Sequence, residues 1–235
     1  MLLHCSLLAA GALIAALRAA SPAQAAGTSA AGAASNSAHA TANTTAGAPR
    51  KLLVLGDSLS AEYGLPRGSG WAALLTRQLA QDKINAEVIN ASISGDTTSG
   101  GRSRLPALLR QHRPSHVLIE LGGNDALRGL ATPMTRDNLV VMVRAAKAAG
   151  ARVMLVGMQL PPNYGARYGQ EFAAMFGQVA EAEKAALVPF LLAGVADSPQ
   201  ADRLFQPDRI HPTAEAHPRM LANVWAVLKP WLLKP

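Results

Sequence analysis

The chain has 235 residues, 49% apolar, 16% charged and 4% aromatic, with a formal net charge of +7. This composition excludes a fully disordered chain and a collagen-like repeat. A single cysteine, Cys5, excludes an intramolecular disulfide framework and any cysteine-built zinc cluster.

Those totals average two unlike regions. Roughly 19 of the first 50 residues are Ala, and no Asp or Glu precedes Asp57. Leu7–Leu17 (LLAAGALIAAL) is an apolar segment of signal-peptide length, and Ala23-Gln24-Ala25 is a small-x-small cleavage signal. The preceding segment carries only His4 and the amino group, with no Lys or Arg. Cys5 stands before the apolar segment, so it is not placed as a lipoprotein cysteine and leaves with the leader. Residues 1–25 therefore read as a signal peptide, and the expected location is periplasmic or secreted. The apolar segment is too short to span a bilayer comfortably, so no stable membrane insertion is expected after leader removal. Residues 26–50 are mostly Ala, Gly, Ser, Thr and Asn, which cannot bury enough surface to offset backbone ordering, and read as a linker. Residues 51–235 form the folded domain, long enough for one sizeable core.

The 22 Lys and Arg are scattered rather than grouped in a stripe, and few aromatics are available as stacking platforms. Nucleic-acid binding is not expected.

After Arg50 the pattern alternates. Leu52–Leu55, Glu87–Asn90, Val117–Leu121, Val153–Gly157 and Leu187–Phe190 are short runs rich in Val, Leu and Ile. Helical patterns separate them at Trp71–Gln81, Leu105–Gln111, Arg136–Ala149 and Phe172–Lys184, with a last one from Thr213 to Leu228. Strands without polar alternation, separated by helices, predict a parallel sheet covered on both faces, an α/β three-layer domain. In such sheets ligands gather at the carboxyl ends of the strands.

The loop after the first strand is Gly56-Asp57-Ser58-Leu59-Ser60, where Ser58 suits an exposed nucleophile and equally a helix N-cap. No Gly-x-Ser-x-Gly elbow occurs, so the common α/β-hydrolase arrangement is unsupported. In the loop Ser92–Thr98, Gly95 either presents a bare N–H or permits a positive φ. Gly122-Gly123-Asn124-Asp125 turns sharply and brings an amide to the sheet edge, or is only a turn. In Asp208-Arg209-Ile210-His211-Pro212, the carboxylate can fold back within one turn to accept the His211 Nδ1 proton. Taken singly these are turn signals. Together Ser58, His211 and Asp208, with the Ser58 and Gly95 N–H groups and the Asn124 amide, fill every role in serine hydrolysis.

Other groupings are weaker. His112 and His116 are interrupted by Pro114 and more simply flank a turn. His211, Glu215 and His217 suggest a metal, against which stand Pro212 and the role of His211. No H-E-x-x-H or strand-following Gly-x-Gly-x-x-Gly occurs, so neither metal nor other cofactor is expected. Met142, Met154 and Met158 read as core.

GDSLS, ASISGDT, GGND and DRIHP, in this order and spacing, resemble the four blocks of the SGNH (GDSL) hydrolases. The longer stretches ASISGDT, RLPALL, ELGGND-LRG and LPPNYG-RY resemble the exported bacterial thioesterase I/protease I/lysophospholipase group, which includes arylesterases. The resemblance covers about Leu52 to Leu228. It implies a flavodoxin-like five-stranded sheet in the order 2-1-3-4-5, with a catalytic Ser58-His211-Asp208 triad. The implied oxyanion donors are Ser58, Gly95 and Asn124. Leu160-Pro161-Pro162-Asn163-Tyr164 resembles the acyl-binding loop, giving Leu160, Pro161 and Tyr164 as substrate-binding residues, and Ala126–Leu130 resembles a mobile loop. One departure is Arg209, where many members carry Gly. The implied activity is serine hydrolysis of acyl esters, with aryl esters, acyl thioesters and lysophospholipids as substrates and no nucleic-acid partner. A monomer is the default expectation. A carbohydrate deacetylase of the same superfamily and a non-catalytic flavodoxin-like binding module are the alternatives.

Overall fold

The computed structural model describes residues 48–234, so the leader and most of the linker expected from the sequence lie outside the described residues. Five strands, β1 (Arg50–Gly56), β2 (Ala86–Asn90), β3 (His116–Glu120), β4 (Arg152–Val156) and β5 (Ala186–Val188), make one parallel sheet. Its order is β2-β1-β3-β4-β5, as the resemblance implied. β5 stops short of the expected Phe190 because Pro189 has no N–H to continue a ladder.

Leu52 to Leu55 in β1 and Val117 to Ile119 in β3 are completely buried. Successive strand residues point to opposite faces, so unbroken burial requires cover on both sides. Helices α1 (Trp71–Gln81) and α7 (His217–Leu233) pack together as one layer. Helices α2 (Thr98–His112), α4 (Thr132–Ala148) and α5 (Ala166–Ala182) form the other. Each buries one stripe, such as Met220, Val224, Leu228 and Leu232 on α7, spaced by four residues as the helical repeat requires. Met142, Met154 and Met158 are all buried in the core.

Helix α2 starts seven residues before the expected Leu105. Its first turns, Thr98-Ser99-Gly100-Gly101, carry no apolar stripe, and the start is set by a cap: Thr97 Oγ1 accepts the Gly100 N–H at 3.3 Å. Two short helices, α3 (Gly123–Leu127) and α6 (Ala201–Leu204), are too brief for periodicity to reveal. Among the described residues no helix is long and apolar enough to cross a membrane.

The order of the sheet matters for function. From β1 the chain crosses to β2 on one side, then returns past β1 to β3 on the other. The connections leaving β1 and β3 diverge there, which opens a crevice at their carboxyl ends. Ser58 and Asn124 stand in those two connections, and Gly95 follows neighbouring β2.

Candidate active site

The chain turns immediately after β1. Asp57 Oδ1 accepts the Leu59 N–H at 3.0 Å, and the Asp57 carbonyl accepts the N–H groups of Ser60 and Ala61 at 3.2 and 2.9 Å. This turn presents Ser58 at the sheet end. Its hydroxyl lies 2.9 Å from His211 Nε2, and His211 Nδ1 lies 2.7 Å from Asp208 Oδ2. The second Asp208 oxygen accepts the backbone N–H groups of Ile210 and His211, both at 3.0 Å. Burial alone raises the pKa of Asp208. The donated hydrogen bonds from His211 and Ile210 outweigh it and hold the carboxyl at about 2.

The imidazole is braced from outside. The Tyr63 ring lies over it with centroids 4.3 Å apart. Gln206 Nε2 donates to the carbonyls of Tyr63 and Pro212 at 3.0 and 3.1 Å, and Gln206 N–H donates to the His211 carbonyl at 2.8 Å. The departure at Arg209 has a backbone basis. Its φ is +61°, left-handed, where glycine is unstrained and arginine is not. Its guanidinium pairs with Asp202, and the residue is among those that line the adjoining cavity.

Among the described residues, neither the Ser58 nor the Gly95 backbone N–H donates a hydrogen bond. Gly95 has φ +79°, and a Cβ there meets nothing within 4 Å, so conformation rather than space calls for glycine. The Asn124 amide nitrogen joins the two loops, donating to Asp57 Oδ2 at 3.0 Å and to the Asp96 carbonyl at 2.9 Å. Asp125 anchors the same turn from below: its carboxylate accepts the Thr98 N–H at 2.8 Å, the Thr98 hydroxyl, and the Thr135 hydroxyl at 3.3 Å.

Beneath the serine two acids are buried together. Asp57 and Glu120 are each 2% exposed, and Glu120 Oε2 accepts the Ser60 hydroxyl at 2.7 Å and the Asp57 N–H at 3.4 Å. Desolvation pushes the Asp57 carboxyl up to about 6, and desolvation with the Asp57 charge pushes Glu120 well above the usual carboxylate range. Trp71 Nε1 donates to Ser60 Oγ at 3.1 Å, and the Trp71 N–H donates to His217 Nδ1 at 2.9 Å. The structure thus separates the residues that suggested a metal. His217 caps α1, Glu215 pairs with Arg203 at 2.7 Å, and His211 faces Ser58. Similarly, His112 ends α2 while His116 begins β3, buried edge-on against Trp231.

A cavity of about 490 Å³ opens beside Ser58, Asn124 and His211. Its walls are mainly apolar, from Leu127, Met158, Leu160, Phe190, Leu192 and Ile210. Leu160 and Pro161 are among the residues that line it. Tyr164 ends a single 3-10 turn, Pro162–Tyr164, and is not among the lining residues. Leu127 of the Ala126–Leu130 segment also contributes to the wall.

Asp57, Glu120 and Arg104 were not singled out from the sequence. Asp57 lies within GDSLS beside the serine, and Arg104 opens RLPALL. Glu120 sits at the end of an apolar run and opens ELGGND, in which the following Asn124 has the evident chemical role.

A serine, a histidine and an aspartate in one hydrogen-bonded line, at the crevice of a 2-1-3-4-5 sheet, have the arrangement of an SGNH-type hydrolase. The profile of the GDSL-like Lipase/Acylhydrolase family matches residues 54–219, and the chain belongs to that family. It is 52% identical over 189 residues to Esterase TesA of Pseudomonas aeruginosa, covering 80% of this chain and 92% of that protein. It is 45% identical over 173 residues to thioesterase 1/protease 1/lysophospholipase L1 of Escherichia coli K12, covering 74% and 80%. The crystal structure of the psychrotrophic esterase EstA from Pseudoalteromonas sp., inhibited by monoethylphosphonate, superposes with a TM-score of 0.74 at 40% identity. That match covers 79% of this chain and all of EstA.

Proposed function

We propose that the protein is a serine esterase that hydrolyses acyl esters, aryl esters and acyl thioesters among them, with lysophospholipids as a further substrate class. The observation that carries this reading is the unbroken Ser58–His211–Asp208 line beside an apolar cavity. His211 Nε2 takes the Ser58 proton as the hydroxyl oxygen attacks the acyl carbonyl. The oxyanion is received by the undonated Ser58 and Gly95 N–H groups and by the Asn124 amide, which releases one of its resting acceptors. His211 then protonates the leaving alcohol or thiol. Water, deprotonated by the same imidazole, attacks the acyl-enzyme, and the acid departs as Ser58 recovers its proton.

An apolar cavity of this size suits an acyl chain longer than acetyl, which favours the esterase over the deacetylase. The names of TesA and the Escherichia coli relative support ester and thioester substrates. The leader motif supports cleavage after Ala25 and work outside the cytoplasm, checked by sequencing the amino terminus of the protein recovered from cell fractions.

The direct test is hydrolysis of p-nitrophenyl esters from short to long chain by the purified protein, beside Ser58→Ala. Activity lost in the variant establishes serine hydrolysis, and the chain-length profile maps the cavity. A folded wild-type protein silent at every length overturns the reading.

A further inference from the structure

We infer that Arg104, on α2, is a positioning residue for the oxyanion site, a single guanidinium that fixes the Ser58 and Gly95 loops relative to each other. This rests on the oxyanion role proposed above for Ser58, Gly95 and Asn124. Arg104 lies outside all four sequence blocks and outside the cavity, yet all three of its terminal nitrogens are committed. Nε donates to Asp96 Oδ2 at 2.7 Å, Nη2 donates to the Gly56 carbonyl at 3.2 Å, and Nη1 donates to the Ala91 carbonyl. The ion pair is largely withdrawn from water, with side chains 20% and 11% exposed for Arg104 and Asp96.

Each acceptor lies within four residues of a proposed oxyanion donor. Gly56 stands two residues before Ser58, and its carbonyl also accepts the Ile93 N–H at 3.0 Å from the Gly95 loop. Asp96 follows Gly95 directly, and the Asp96 carbonyl holds the Asn124 amide at 2.9 Å. Ala91 is where the chain leaves β2 and the Gly95 loop begins. Besides Arg104 the loop is held by its own turn, in which the Asp96 N–H donates to the Ile93 carbonyl at 3.1 Å, and by the exposed Arg128, whose Nη2 donates to the Gly95 carbonyl at 3.0 Å. Asp96 is also pressed onto α2, so closely that a Cβ on Gly100 falls 1.9 Å from Asp96 Oδ1. Three acceptors in different directions match the planar fork of an arginine, and a lysine ammonium on a flexible stem satisfies only some of them. Oxyanion donors work by being fixed before the charge develops, so loosening their frame lowers turnover more than substrate binding.

The test compares wild type, Arg104→Lys, Arg104→Ala and Asp96→Asn with a p-nitrophenyl ester, each checked for cooperative unfolding. Arg104→Lys should lose about 10- to 100-fold in kcat with KM within about 3-fold, a fraction of what losing one donor outright costs. Its phosphonylation by a p-nitrophenyl alkylphosphonate, read by mass spectrometry, should slow in parallel. Millimolar guanidinium should restore part of the kcat of Arg104→Ala and leave wild type and Asp96→Asn unchanged. Wild-type kcat in a folded Arg104→Lys, or a loss in Arg104→Ala that guanidinium does not touch, overturns the inference. Ser58→Ala run alongside separates the cases. If that variant stays active the oxyanion reading itself fails, whereas an inactive Ser58→Ala with a fully active Arg104→Lys removes Arg104 alone.

Discussion

Asn124 donates its side-chain amide to Asp57 Oδ2 at 3.0 Å across 67 residues of chain, joining the turn after β3 to the turn after β1. Asp57 is buried and its pKa is raised, which is costly, so its carboxylate is retained for what it holds. Replacing Asp57 with Ala removes the acceptor that aims the Asn124 nitrogen. The expected result is a fall in kcat of about 10²-fold, approaching the 10²–10³ expected of Asn124→Ala itself. The double variant should lose little more than either single one, which steady-state kinetics on the three proteins checks.

Asp208 offers a sharper substitution. One of its oxygens accepts two backbone N–H groups, so in Asp208→Asn only the amide oxygen fits there. The amide NH2 must then face His211 Nδ1, forcing the proton onto Nε2, where the imidazole cannot accept from Ser58. The variant should fold normally and lose about 10³–10⁴ in kcat. Because Asp208 is held at about 2, its own ionisation does not set the acid limb of the pH–rate profile of the wild type. A limb near pH 2 in that profile would contradict this.

Glu120 makes a prediction about stability rather than rate. Its folded pKa lies well above the ordinary value of 4.5, mainly through desolvation, then through the Asp57 charge. The folded protein therefore binds more protons here than the unfolded chain above that ordinary value. Stability from this group is complete below about pH 4.5 and declines as pH rises towards the folded pKa, by up to ~1.4 kcal/mol per pH unit. Glu120→Gln keeps an oxygen for the Ser60 hydroxyl and removes the charge. Its urea-unfolding free energy should fall less steeply than that of wild type between pH 5 and 8 (both limits approximate). Parallel pH profiles would place the titration elsewhere.

Arg209 sits at φ +61°, with an exposed ion pair to Asp202 as its compensation. Exposed pairs are worth ~0–1 kcal/mol, and a left-handed non-glycine residue costs about as much or more. Arg209→Gly should thus leave the unfolding midpoint unchanged or raise it slightly. A drop of several degrees would mean the guanidinium has a structural duty beyond Asp202. Calorimetry of the two proteins decides it.

Much of this was legible in the residue order. Five apolar runs without alternation announced a sheet buried on both faces, because only doubly covered strands can dispense with polar residues. The Asp208–His211 contact was legible for a local reason: the two are three residues apart, so one turn of chain brings them together. Legibility failed where no period exists. The first turns of α2 are glycine and hydroxyl residues held by a cap.

The sequence by itself determined the strand and helix alternation and the three-residue spacing of Asp208 and His211. Those follow from local chemistry and from spacings of a few residues. Only the tertiary structure decided that Asn124 is aimed by Asp57, that Glu120 is buried against Asp57, and that Arg104 ties Gly56, Ala91 and Asp96 together. Residues 8 to 67 positions apart meet there because the parallel order 2-1-3 gathers three strand ends at one crevice. Spacing along the chain carries no trace of such contacts, since crossover helices of any length give the same meeting point.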